Sequence, residues 1–250
     1  MELRILLLLL VFSFSVVPGI AQQVGTMRPV EELVNTQDSG WSLILEWQKQ
    51  TKNKVEILPR EAEKATTALF QTQVTTRSPM GAIVYESGGI LVDEGWLRIL
   101  GSGHARLPRS LPEWNKGKTF QIYGEAPAFL LIADDVIGGF FALNGGALGP
   151  DVGKVYYFPP DQLTWTSLNL SYSEFIHWCF NGNITKFYKP MRWKDWRKDT
   201  MGLDANTALA FYPFLWTEEG SVAKSGRKPV PVGELWILQM SAASELRGNK

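Results

Sequence analysis

Two histidines and one cysteine in 250 residues narrow the chemistry open to this chain. His104 closes the string GSGH, and with Ser102, Ser110 and either Asp134 or Asp135 it supplies the residue types of a hydrolytic triad. No G-x-S-x-G elbow accompanies them, and a chain of this length always offers some Ser, His and Asp, so the types alone do not single out a hydrolase. The Gly101 to Gly103 turn lacks the preceding strand, spacing and following helix of a phosphate or dinucleotide loop. His177 and Cys179 look like a metal pair, but side chains two apart on a helix point about 200° apart and cannot share an ion. No C-x-x-C or H-E-x-x-H occurs, and no metal or cofactor is expected.

The remaining polar candidates are acidic, basic and aromatic. Asp134 and Asp135 are adjacent, hence on opposite faces of a strand, which makes them a poor acid-base couple. Asp135 suits the start of a tight turn to Gly138, its carboxylate accepting backbone N–H groups. Ten Trp and seven Tyr suggest recognition by stacking, yet Trp41, Tyr172 and Trp236 fall on apolar faces. Trp96, Trp114, Tyr157 and Trp216 do not, and Arg77, Arg98 and Arg109 stand near them. Because alternate strand residues share a face, Trp96 and Arg98 can present together; with Asp135 and Tyr157 they form the expected contact surface.

These residues need elements to hold them. Arg28 to Thr36 and Gly40 to Lys52 read as helices, the second capped by Ser39, and a third helix with the stripe Ala62, Ala65, Leu69 follows Pro59. Ala82 to Glu86, Ile90 to Asp93 and Trp96 to Leu100 read as strands of a hairpin meander. Phe129 to Asp134, Gly139 to Asn144 and Lys154 to Phe158 are short, aromatic and β-branched, bounded by Gly, Asn, Asp or Pro, as half-buried antiparallel strands are. Between the two sets, Gly101 to Gly117 reads as an exposed loop. Ser171 and Glu174 make a capping box for a helix whose Tyr172, Phe175, Ile176, Cys179 and Phe180 form a core stripe, with Gly182 at the left-handed C-terminal position. The rest, to about Gln239, reads as helical and aromatic-rich, broken by a loop around Tyr212 to Trp216.

The expected architecture is therefore α+β, a mostly antiparallel sheet of about six strands flanked by helices. No polar linker divides the chain. Residues 28–240 form one domain, preceded by a linker at 22–27 and followed by a loose tail at 241–250.

The run from Phe129 to Phe175 resembles the SUKH superfamily in its apolar strand ending in Asp134 and Asp135, its Gly138–Gly139 turn, and its strand Gly153 to Tyr157 before a helix. From Met27 onward the chain is similar to a bacterial family, domain of unknown function 2625, in VTTRSPMGAI (Val74 to Ile83), GWLRILGSG (Gly95 to Gly103), LPRSLPEWN (Leu107 to Asn115), GGFFALNGGALG (Gly138 to Gly149) and FYPFLWT (Phe211 to Thr217). The SUKH resemblance implies a recognition scaffold, used by immunity proteins to neutralise toxins and by other members as an adaptor.

Composition and address complete the expectation. Lys plus Arg and Asp plus Glu each total 25, so there is no broad basic field for nucleic acid. Lys186, Lys189, Arg192, Lys194, Arg197 and Lys198 cluster, but Phe187, Trp193 and Trp196 are interleaved at helical spacing, the pattern of a solvated helix face. Arg4, the apolar run Ile5 to Val17, Pro18, and small Gly19 and Ala21 read as a signal peptide at 1–21, too short to span a bilayer and cut before Gln22. Translation from Met27 would instead leave the protein in the cytoplasm. The functional expectation is an exported non-enzymatic binding module whose partner is another protein. The alternatives are an envelope hydrolase acting on carbohydrate or peptide, and a structural or assembly factor of the envelope.

Overall fold

A computed structural model describes residues 26–248, so the expected signal peptide lies outside the described residues. The strands β1 (Val55–Leu58), β2 (Gly89–Val92), β3 (Leu97–Leu100), β4 (Phe129–Asp135), β5 (Phe140–Asn144), β6 (Lys154–Phe158) and β7 (Thr166–Ser171) form one antiparallel sheet in chain order. β8 (Thr207–Tyr212) and β9 (Gly226–Pro231) make a separate hairpin. The helices are α1 (Val30–Leu33), α2 (Trp41–Lys49), α3 (Ala62–Thr72), α4 (Pro79–Glu86), α5 (Leu111–Asn115), α6 (Tyr172–Asn181), α7 (Ile184–Tyr188), α8 (Trp196–Thr200) and α9 (Val232–Gly248), with a 3-10 turn at Lys189–Met191. The α+β class is as the sequence implies, with seven strands in the main sheet where about six were expected.

The differences have local causes. Ala82 to Glu86 is helical because the Ser78 hydroxyl accepts from the Gly81 N–H and Pro79 opens the first turn, a start signal that outweighs β-branched content. The Gly101 to Gly117 segment is not an exposed loop. It contains α5, capped by Ser110, and buries Leu107, Leu111, Trp114 and Asn115. Asn115 extends the pairing of β4 past the last β3 partner at Ala133, beside a β4 bulge, exchanging hydrogen bonds with the N–H and C=O of Leu131, both 2.8 Å. The stretch read as helical before Gln239 contains the β8–β9 hairpin, whose Pro229 and Pro231 mask its strand pattern. Residues 241–248 are no loose tail: α9 continues to Gly248 and buries Ala243.

Helix α6 follows its signals closely. Its capping box is present in both directions, and Phe175, Ile176, Cys179 and Phe180 are all fully buried, each large apolar side chain being worth about 1.5–3 kcal/mol. Gly182 closes the helix with φ −77°, not the left-handed geometry expected; a Cβ there would strike the Trp178 ring. Burial pushes the Cys179 thiol well above its ordinary pKa. The native protein is accordingly expected to react with a thiol reagent only after adding denaturant. Rapid labelling in buffer, followed by mass spectrometry, would contradict this helix register.

Candidate functional site

The centre of the fold is a polar cluster on the two faces of β4. Arg98 on β3 and Asp134 on β4 are directly opposed in the ladder, and the Arg98 Nε lies 2.7 Å from Asp134 Oδ1. Arg109, from the loop before α5, places Nη1 2.5 Å from Asp134 Oδ2. The guanidinium groups also donate to backbone: Arg98 to the carbonyls of Ala205 (3.1 Å), Thr207 (2.6 Å) and Asp135 (2.8 Å), and Arg109 to Ala205 (2.8 Å). The segment before β8 is thus tied to the sheet by two buried arginines sharing one carboxylate.

On the opposite face, Asp135 accepts four hydrogen bonds. Its Oδ1 takes the N–H groups of Ile137 (3.2 Å) and Gly139 (2.7 Å), and its Oδ2 takes the hydroxyls of Tyr157 (2.8 Å) and Tyr188 (3.1 Å). The turn role read from the sequence is therefore correct, and the strand does send the two aspartates to opposite faces. Burial pushes the Asp135 carboxyl up to about 6, against the pull of the Gly139 N–H, both tyrosines and Arg98.

A folded pKa above the unfolded value, about 3.9, means that the folded state holds the extra proton. The contribution of Asp135 to stability must therefore rise as pH falls through 6 and level off below about 4, by on the order of 3 kcal/mol. Urea midpoints of the wild type and Asp135→Asn should diverge in this pH window, the wild type gaining on the variant as the solution is acidified. Parallel curves from pH 7 to 4 would show that Asp135 has no raised pKa.

The expected contact surface is corrected in one respect: its members are interior. Trp96 and Arg98 are each 1% exposed, Asp135 0% and Tyr157 8%. Trp96 sits in the β2–β3 turn, ahead of the strand, so the alternation that would pair it with Arg98 does not reach it. Its ring packs among Tyr188, Trp193 and Trp196, with the Arg192 guanidinium stacked 4.6 Å above it and 3.9 Å from Trp196. Arg192 is held there by Asp93, 2.5 Å away. The basic cluster of the sequence thus contributes its most buried member to an aromatic core. The aromatics left open resolve similarly: Trp114 lies between Arg109 and Lys118, and Trp216 stacks on Phe214 at 4.3 Å.

The triad residues do not assemble. His104 Nδ1 accepts from the Arg106 N–H (3.1 Å), Ser102 donates to the Ser87 carbonyl (2.8 Å), and Ser110 caps α5. No hydrogen bond among the described residues joins His104 to a serine or a carboxylate. His177 is exposed, packed edge-on against Trp47, while Cys179 is buried.

Two cavities border the central cluster. One, of about 330 Å³, is lined by Arg98, Glu94, Arg106 and Asp204 among others. The second, of about 270 Å³, lies over Tyr157 and Tyr188 and is walled by Phe187, Met191, Leu168 and Asp161. Of its lining only Tyr157 was singled out from sequence; the string Phe158 to Asp161, FPPD, immediately after the β6 strand was the available sign of a shaped turn. No described helix is long and apolar enough to cross a membrane.

The profile of a family described as "Protein of unknown function DUF2625" matches residues 30–235. An uncharacterized protein, YbfG, of Escherichia coli (strain K12) is 50% identical over 85% of this chain and 96% of its own length. An uncharacterized protein of Haemophilus influenzae is 47% identical over 76% of this chain and 83% of its own. No solved structure matches the chain.

Proposed function

The chain belongs to the DUF2625 family, and on that footing we propose that it is an exported, non-enzymatic recognition module for another protein. The observation that carries this reading is the full internal engagement of the central ionisable groups. Asp134 is shared by two arginines and Asp135 is held by four donors, so neither carboxylate is free to move a substrate proton, and His104 has neither partner a triad needs. Export, with cleavage before Gln22, is part of the proposal. The resemblance of the Phe129 to Phe175 sequence to SUKH proteins supports a scaffold that recognises rather than transforms.

The hydrolase alternative makes opposite demands. Purified protein incubated with envelope glycan and peptide fragments is expected to leave their masses unchanged while binding its protein partner saturably and reversibly. Turnover that is lost in Asp135→Asn or His104→Ala would replace recognition with catalysis. Intact-mass measurement of protein from a secreting host should give a chain starting at Gln22.

A further inference from the structure

We propose that the cavity over Tyr157 and Tyr188, together with the outer edge of β7, receives an extended polypeptide segment that carries a large apolar side chain followed closely by Lys or Arg. The inference rests on the recognition reading above and names where and what the module grips. Three independent features carry it.

The cavity, about 270 Å³, is floored by Tyr157, Phe187 and Tyr188 and walled by Met191 and Leu168. The tyrosine hydroxyls are tied to Asp135, and with Tyr157 only 8% exposed and Tyr188 fully buried the two rings form a rigid backing, while the part-exposed Phe187, Met191 and Leu168 supply the surface a ligand would meet. A Leu or Phe side chain finds an apolar, preformed seat of the kind that anchors interfaces.

Strand β7 is the last strand of the sheet. Among the described residues no further strand pairs with its outer side; toward its C-terminal end the Asn169 carbonyl accepts from Lys154, and the N–H groups of Asn169 and Ser171 donate to Ser167 and Glu174, which leaves the Thr166 end without such side-chain partners. Thr166 and Leu168 line the cavity, so the unpaired edge and the seat are adjacent. A segment adding antiparallel or parallel to that edge would send alternate side chains to the cavity face. The bulge opposite Val155 and Tyr156 takes Leu168 and Asn169 out of the ladder with β6, so the regular stretch beside the cavity is short, a specific contact in place of an open aggregation edge.

Charge supplies the third feature. Asp161 borders the same cavity, and its Oδ1 is shielded from solvent with no hydrogen-bond partner among the described residues. A half-buried carboxylate oxygen without a donor is costly, and burial pushes its pKa up. A cationic side chain one or two residues beyond the apolar anchor would pair with this part-exposed carboxylate at the cavity border.

The test is to pan a randomised peptide library against the full chain and measure the affinity of the selected peptides by fluorescence anisotropy. The expected peptides pair Leu, Phe or Met with a nearby Lys or Arg. Each should bind at least about tenfold more weakly when its apolar anchor is changed to Ala, and weaken likewise on Leu168→Lys protein whose melting temperature is unchanged. Asp161→Asn should remove the preference for Lys or Arg over Gln in the peptide. N-methylation of one alternate set of peptide amides should abolish binding while the other set is tolerated, the signature of an added strand.

Peptides lacking this pair, or binding Leu168→Lys and Asp161→Asn proteins as well as wild type, would overturn the proposal. So would a dimer in sedimentation that Leu168→Lys dissociates, since the occupant would then be a second copy. A native partner that binds both variants unchanged would sink this site and leave the recognition reading standing. Chemical turnover would remove both.

Discussion

Asp134→Ala is expected to cost about 3–5 kcal/mol, a large share of the roughly 5–15 kcal/mol that holds a typical domain together. Asp134 is fully buried, and it is the carboxylate shared by Arg98 and Arg109, which are 1% and 8% exposed. Removing it leaves two guanidinium groups facing each other without a counter-charge in a medium that screens poorly. Arginine cannot escape by losing its proton. Asp135 sits on the other face, hydrogen-bonds Arg98 only through its carbonyl, and acts on it by charge without direct contact, which does not replace the lost ion pair. The urea midpoint should fall steeply, with much of the protein lost to inclusion bodies. The triple variant Arg98→Met, Asp134→Leu, Arg109→Met should recover part of the loss, because it removes the charges together. Recovery should be incomplete, because the carbonyls of Ala205, Thr207 and Asp135 lose their donors. As a control, Glu94→Ala breaks an exposed pair with Lys54 and should change stability by less than about 1 kcal/mol. An Asp134→Ala midpoint as close to wild type as this control would mean that the cluster does not tie the β8 segment to the sheet.

Gly139→Ala should be nearly as severe, for a steric reason. A Cβ at this position overlaps Asp135 Oδ2 and both the ring and the hydroxyl of Tyr157. The carboxylate cannot retreat, being fixed by its four donors, and the Tyr157 ring is stacked on Phe141 at 4.5 Å. The methyl group must therefore displace either the turn or the tyrosine, which adds overpacking of about 1–3 kcal/mol to the loss of one or two buried hydrogen bonds at about 1–3 kcal/mol each. Gly233→Ala supplies the contrast. It lies in α9 with its nearest neighbour a Trp114 carbon at 3.9 Å, so the same substitution should be neutral or slightly stabilising, as in any helix with room. Equal melting temperatures for the two variants would rule out the close packing of Gly139 on Asp135 and Tyr157.

The sequence by itself determined what local signals can carry. The α6 register was legible because Ser171, Glu174 and a five-residue apolar stripe all specify the same helix, and the burial of Cys179 followed from that stripe. The turn at Asp135 was legible because Asp, Gly138 and Gly139 have a turn chemistry independent of the rest of the fold, and the alternation of a strand was enough to send Asp134 and Asp135 to opposite faces. The α+β class followed from strands and helices read one at a time. The α4 helix was readable too, from Ser78 and Pro79, but the β-branched residues behind them gave the wrong period.

Only the tertiary structure decided which polar and aromatic residues are interior. Trp96, Arg98, Asp135 and Tyr157 carry no local sign of burial; an Arg becomes a core residue because Asp134 faces it across β3 and β4 and because the segment at Ala205 offers carbonyls from 107 residues away in the chain. Arg192 is likewise interior only because Trp96, Trp196 and Asp93 converge on it. The β8–β9 hairpin was hidden by prolines that an edge ladder tolerates and a helix reading absorbs. Burial of charge is a property of partners brought together by topology, and partner choice over such separations has no periodicity for a sequence to display.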